Sequence, residues 1–570
     1  MRSSLSTTRG VLAACAAAAL LAGSAACAAN PGPPPLASQD DLDRYGPTTE
    51  ATATVTTTVT SRKPAPAAPE RVEVQVGVDP VRSGFNPHLQ SDEQASVRAI
   101  ADLVLPSAFV NGQKNADLLV NASPLVASPD AMTVRYVIAP EAQWSDGTPI
   151  NGDDFVYLWR AMRSTPGTVN PAGYDAISNI RVSGSSAKTV DVDLRIPLRD
   201  WRELFTYLVP SHLLRPDASD FAEALRYSIP ASAGRYLFSG VDTSRGAVTL
   251  NRNDRFWGEH PAEVEVLELQ YVRGTTQMAD QLRSRQLAYV DRTPDETTMR
   301  AIGLLPGTQV RVVPGPRTLG LTATSDLPLA ARTELFSLVD APLLASIATG
   351  RSAEVDVPPR TPTDPGTDPG TDPAAEPAVE ALAAHTALAG PLRIAADPAD
   401  PAAYAAARSL VDMLVSRGVK AAVVTTDPAS LMSTLLPSGE ISAVVSWRLH
   451  TGTSTEVAGR AACPAHAFRA ANVSGFCTAE TEKLAADTLA GVVPVQQAAA
   501  RLDQIEADEA LWLPIVNETR VVALGAGIIG PDPDLAKWPG SVETAPTWKV
   551  PTTPTTPSGL PPVPAPKEQP

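Results

Sequence analysis

Valines at positions 72, 74, 76 and 78 alternate with Arg71, Glu73, Gln75 and Gly77. A period of two predicts a half-buried strand and marks where the folded body begins. Further strands are predicted over 132–138, 190–194, 248–251 and 264–272, with helices between them. One helix is well marked: Asp146-Gly147 makes a turn, Asn151 or Asp153 can cap, and Phe155, Leu158, Trp159 and Met162 then recur on one face.

The pattern is clearest further along. Residues 392–396 read as an apolar strand, 401–417 as a helix ended by Gly418, 420–424 as a strand, Asp427 as the cap of a helix through Leu436, and 441–447 as a third strand. This alternation predicts an α/β fold of parallel strands with crossover helices. Ligands of open α/β sheets bind beyond the carboxyl ends of the strands, which selects Trp447, Arg448, Leu449 and His450 as a candidate site. A helix is also predicted over 332–344, a Leu-Pro turn at Leu513-Pro514 and a strand over 520–524.

At 570 residues the chain exceeds what one core supports, so two or more lobes are expected. Its 55 prolines show that part of the length is not packed core. Pro31 to Pro69 reads as a Pro/Thr-rich tether, Asp356 to Pro377 as a disordered surface insertion, and Pro551 to Pro570 as a disordered tail. A net charge of -16 without any basic stripe excludes a nucleic-acid partner.

Arg2 and Arg9, an apolar run from Val11 to Ala22 and small residues before Cys27 have a signal-peptide layout. No later stretch is long enough to span a bilayer. Cys27 resembles a lipobox cysteine, although Ser24 stands where Leu or Val is preferred; lipidation at Cys15 and simple secretion are the alternatives. Cys463 and Cys477 in an exported chain predict a disulfide; a metal pair would need ligands beyond the nearby His466.

None of the six histidines belongs to a nucleophile or metal signature, and no catalytic residue, cofactor or metal is expected. Gly525-Ala526-Gly527-Ile528-Ile529-Gly530 spells a dinucleotide fingerprint. Pro531-Asp532-Pro533 follows where a phosphate-binding helix would have to start, so cofactor binding is rejected. Asp153-Asp154 reads as acids at a helix start rather than a catalytic pair.

Gln143-Trp144-Ser145-Asp146-Gly147-Thr148-Pro149-Ile150-Asn151-Gly152-Asp153-Asp154-Phe155-Val156 resembles the signature of the family 5 extracellular solute-binding proteins, the peptide receptors of ABC importers. Phe85-Asn86-Pro87-His88, Ser232-Ala233-Gly234-Arg235-Tyr236, the segment 250–258 and Trp512-Leu513-Pro514-Ile515 support the resemblance, which spans 71–549. It implies a two-lobed, type II periplasmic-binding-protein-like α/β fold that closes on ligand about a hinge without chemistry. The implied layout is a leader at 1–27, a tether at 28–70, lobe I at 71–315 with an inserted subdomain at about 115–200, lobe II at 316–510 interrupted at 355–380, a return to lobe I at 511–549, and a tail at 550–570. Asn86 and Tyr236 join Trp447, Arg448 and His450 as candidate ligand contacts.

The implied protein is a monomer at the outer face of the cytoplasmic membrane, held by its lipid anchor and able to serve an ABC permease. Peptide receptors carry an acidic segment after the strand that here ends at Trp447, whereas this chain reads Trp447-Arg448-Leu449-His450-Thr451-Gly452. Without that acid a buried peptide ammonium would lack a counter-charge. Arg448 and His450 instead suit an anionic or hydroxyl-rich solute. The insertion and the Asn472-Val473-Ser474-Gly475-Phe476-Cys477 loop also resemble a divergent actinobacterial lipoprotein branch linked to envelope mannolipid assembly. The importer and mannolipid readings thus both remain open from sequence.

Overall fold

The computed structural model describes residues 71–128, 131–359, 378–463 and 471–551. The leader, Cys27, the tether, residues 360–377 and the tail after 551 lie outside them. Among the described residues no helix is long and apolar enough to cross a membrane.

Strand β1 (Glu73–Val78) is where the valine alternation places it, with Val74 and Val76 buried. A four-stranded sheet follows, formed by β2 (Leu119–Ser128), β3 (Ala131–Ile138), β4 (Ile177–Ser183) and β5 (Thr189–Leu194) in the order β2-β3-β5-β4. Then come β6 (Tyr236–Asp242), β7 (Ala247–Arg252), β8 (Val266–Tyr271), β9 (Tyr289–Arg292), β10 (Gln309–Ala323), β11 (Leu392–Ala396), β12 (Ala421–Thr425), β13 (Ala443–Leu449) and β14 (Trp512–Leu524). With β1 they build one ten-stranded sheet, ordered β12-β11-β13-β10-β14-β9-β1-β8-β7-β6. As the alternation predicts, β11 pairs in parallel with β12 and β13.

Two buried clusters occupy the two ends of that sheet. One gathers β1, β7, β8 and the four-stranded sheet; the other gathers β10 from Leu319 onward with β11, β13 and the helices beside them. Only β10 and β14 run through both ends. Gln309 to Pro314 pairs with Leu524 to Thr519 in the first lobe, and Thr318 to Thr322 with Asn517 to Trp512 in the second. The register slips between Pro314 and Thr318, so Gly315-Pro316-Arg317 bulges opposite Glu518. A side chain at Gly315 would collide with that of Glu518. A bulge flanked by prolines, where few ladder bonds cross, is where the lobes can turn.

The signature segment performs a local structural task. Asn151 caps α1 (Gly152–Ser164), and Asp154 bonds back to the Asn151 N–H to close a capping box. The buried Asp154 carboxylate also accepts from the Ser211 N–H and Trp144 Nε1 at 3.1 and 3.3 Å.

Several sequence expectations need correction. The helix over 332–344 is two helices, α2 (Leu329–Ser337) and α3 (Ala341–Thr349), because Asp340 starts a new one by capping Leu343. Asp427 caps only one turn, which continues as a π-turn over Leu431–Leu435. Leu513-Pro514 is strand rather than turn, and Pro514 is tolerated at a second register slip of β14. Gly530 ends the glycine run packed against the Trp538 indole, which itself stacks on Tyr289 at 5.3 Å. Val355 and Val357, at the shoulder of the expected insertion, pack on the second core.

Helices α5 (Ser454–Ala461), α6 (Ala479–Leu489) and α7 (Val495–Asp508) come after α4 (Pro401–Ser416) in the chain. They were expected in the second lobe, yet their apolar residues join the first lobe's cluster, with Val457, Ala461 and Leu489 in the same buried set as Ala172, Leu198 and Leu204.

Candidate functional site: the interlobe cleft

The carboxyl ends of β11, β12 and β13 face the start of the first lobe across a cleft. Ala396 ends β11 and Asp397 follows it, Thr426 and Pro428 follow β12, and Ser446 to Leu449 close β13; Arg82, Gln90, Glu93 and Asn170 oppose them. The partly open inner cavity measures about 110 Å³. Beside it lies an outer chamber of about 650 Å³, sharing Glu93, Val169, Asn170 and Leu449 with the inner one.

Asp400 has two tasks. It caps α4 by accepting from the Ala402 and Ala403 N–H groups at 3.1 Å each, and it meets Arg82 from the opposite lobe at 2.6 Å. The helix it starts presents Ala403, Ala407, Leu410 and Leu414 as one buried stripe. The same residue thus places the helix and helps close the cleft.

Arginines lining the inner cavity are each met by a carboxylate. Arg317 forks onto Glu518, with Nε to Oε2 at 3.0 Å, and also reaches Glu93. Arg448 bonds Glu506 at 2.8 Å and lies 3.8 Å above the Trp512 ring. Arg460 reaches Glu506 at 2.8 Å and Asp503 at 2.6 Å. Burial alone would raise the Glu506 carboxyl, but Arg448 and Arg460 hold it at about 2. Among the described residues Asp397 has no ion-pair partner; burial raises its pKa, and Asp400 and Asp427 add to the rise.

The five predicted contact residues do not converge. Trp447 lines the inner cavity, under the Arg317 guanidinium at 5.1 Å, and its buried Nε1 has no hydrogen-bond partner. Arg448 touches the cavity with its charge already matched. His450 turns to a separate pocket beside Arg460, Glu506 and Asn517, where burial and the two arginines lower its pKa to about 4. Asn86 is fully buried and fastens a loop, donating to the Phe221 carbonyl at 2.9 Å and accepting from the His88 N–H at 3.1 Å. Tyr236 is buried at the start of β6 with an unpartnered hydroxyl, and neither it nor Asn86 lines the cleft.

Sequence reasoning missed Arg82, Gln90, Asp397 and Asp400. The strand-end rule, applied to β11 as well as β13, would have found both aspartates. The acid absent after Trp447 thus has a counterpart, Asp397, on the neighbouring strand end. Cys463 and Cys477 are joined in a disulfide.

The bacterial extracellular solute-binding proteins, family 5, match residues 120–456. Among curated proteins, the probable monoacyl phosphatidylinositol tetramannoside-binding protein LpqW of Mycobacterium tuberculosis is 29% identical over 469 residues, covering 72% of this chain and 73% of LpqW. Among solved structures, the periplasmic EDTA-binding protein EppA superposes with a TM-score of 0.61 at 20% identity, over 84% of this chain and 97% of EppA. The oligopeptide-binding protein AppA of Bacillus subtilis, in complex with a nonapeptide, gives 0.61 at 14% identity over 84% and 98%. With the cleft, the hinge strands and the matched segment together, this chain belongs to the family 5 bacterial extracellular solute-binding proteins, which bind ligands and do not transform them.

Proposed function

We propose that the chain captures the glycan headgroup of a mannosylated lipid between its lobes and serves envelope assembly rather than peptide import. The observation that carries this reading is the charge balance of the inner cavity. Arg82, Arg317, Arg448 and Arg460 are all neutralised by protein carboxylates, while Trp447 Nε1 and Gln90 Oε1 are a buried donor and acceptor without partners. A hydroxyl satisfies one of each kind, and unmade bonds of this sort cost more than made ones gain. Aromatic and amide groups set among neutral pairs suit a sugar ring better than a zwitterion. The extent of the likeness to LpqW supports the same class of ligand. In this reading Cys27 tethers the chain to the outer face of the cytoplasmic membrane.

A second reading rests on Asp397. Its carboxylate lines the cavity without an ion-pair partner and could receive the ammonium of a peptide delivered to an ABC permease. A thermal-shift screen separates the two. Ligand stabilises in proportion to the logarithm of its concentration over Kd, so mannosides should raise the midpoint and di- and tripeptides should not. Stabilisation by peptides alone would overturn the glycan reading in favour of Asp397.

A further inference from the structure

Two of the outer chamber's arginines have no carboxylate partner among the described residues. Arg199 precedes and Arg202 lies within the short helix Trp201–Glu203, and both line the chamber with exposed side chains. Arg202 lies over the Trp201 ring at 4.7 Å and the Phe109 ring at 6.0 Å. These stacks orient the guanidinium without neutralising it. The chamber's Arg98, by contrast, is paired with Glu93.

The acids nearby are committed elsewhere. Asp200 accepts from the Ser454 N–H at 2.9 Å, Glu203 from the Thr455 hydroxyl, and Asp102 from the Tyr207 hydroxyl at 2.8 Å. Burial raises both Glu203 and Asp102 to about 7, which lessens their negative charge near neutral pH. The chamber's lining carries acids as well as arginines, but the Arg199 and Arg202 guanidiniums have no carboxylate partner among the described residues, and guanidinium forks match phosphate oxygens.

We propose that Arg199 and Arg202 form an anion subsite for a phosphodiester carried by the same ligand whose glycan fills the inner cavity, a step that rests on the glycan reading above. The two chambers share Glu93, Val169, Asn170 and Leu449 as a common wall, so one elongated headgroup can occupy both. Binding should therefore show the salt dependence of a charge-assisted contact.

The test is calorimetric titration of the full chain and of the Arg199→Gln, Arg202→Gln double variant. The probes are deacylated glycerophosphoinositol mannoside, phosphate-free methyl mannoside and inorganic phosphate. The expected result is a roughly tenfold or greater loss of affinity for the phosphodiester in the variant and a flatter salt dependence, with methyl mannoside as reference ligand. Equal affinity of both proteins for the phosphodiester would overturn the subsite while leaving the glycan reading intact. Failure of both mannosides on the unsubstituted chain would overturn the glycan reading and the subsite with it. Inorganic phosphate competing as well as the diester would show that the arginines hold free phosphate, and the headgroup assignment would fall.

Discussion

Arg317 and Glu518 face each other across the two strands that pass through both lobes, Nε to Oε2 at 3.0 Å, with side chains only 6% and 4% exposed. Arg317 also reaches Glu93 in the cleft wall and lies over Trp447. One buried guanidinium thereby connects the bulge of β10, the ligand cavity and the start of the first lobe. Removing Glu518 leaves the buried guanidinium with only the longer contact to Glu93 at 3.4 Å. Glu518→Ala should cost about 3–5 kcal/mol of stability, measured by denaturant unfolding at neutral pH, and a loss below about 1 kcal/mol would mean that the pair is solvated in solution.

Acid should unfold the chain through identifiable groups. His88 is buried, and burial lowers its pKa from 6.5 to about 4. A histidine kept neutral by folding adds stability that is complete above its unfolded value and is lost as pH falls from 6.5 toward 4. Glu506, held at about 2 by its two arginines against the cost of burial, adds a second loss between 4.5 and 2. The His88 and Glu506 losses fall in separate pH windows, the first shared with His450 and opposed by Glu203 and Asp102, whose raised carboxyls add stability as pH falls from 7. His88→Gln should leave stability less steeply dependent on pH between 6.5 and 4 than in the unsubstituted chain, and an unaltered profile would contradict the assignment.

Reduction offers a third check. The bond between Cys463 and Cys477 closes a loop of 14 residues, and such a bond contributes about 2–4 kcal/mol. Thermal unfolding with and without reductant should differ by that amount, and Cys463→Ser with Cys477→Ser should reproduce the reduced form.

Much of the fold is legible from period and punctuation. The alternating valines place β1, the Ala-rich stripe after Asp400-Pro401 places α4, and alternation over 392–447 gives the parallel strand set, because local pattern and global fold agree there. The crossing of β10 and β14 was not legible. Leu513-Pro514 reads as a turn, and only pairing between residues some 200 apart makes it strand. The site was half legible for the same kind of reason. The strand-end rule finds Trp447, but period alone cannot say that Arg448 meets Glu506, that His450 turns to another pocket, or that Asp397 and Gln90 converge from different elements.

Trp447 bears on both packing and recognition. Trp447→Phe retains an aromatic ring under Arg317 and removes the unpartnered N–H together with part of the ring's packing on the second core. A neutral hydrogen bond contributes about 0.5–1.5 kcal/mol. Mannoside affinity should therefore fall by at least roughly two- to tenfold, as read by titration. Unchanged affinity would move the ligand away from the indole edge.

Native mass spectrometry of the purified chain mixed with deacylated phosphatidylinositol mannoside and a peptide pool tests the central claim most directly. The predicted result is a one-to-one complex with the mannoside, from which the ligand is released at unchanged mass. A complex with peptide alone, or recovery of a chemically altered mannoside, would contradict capture of a glycan headgroup without chemistry.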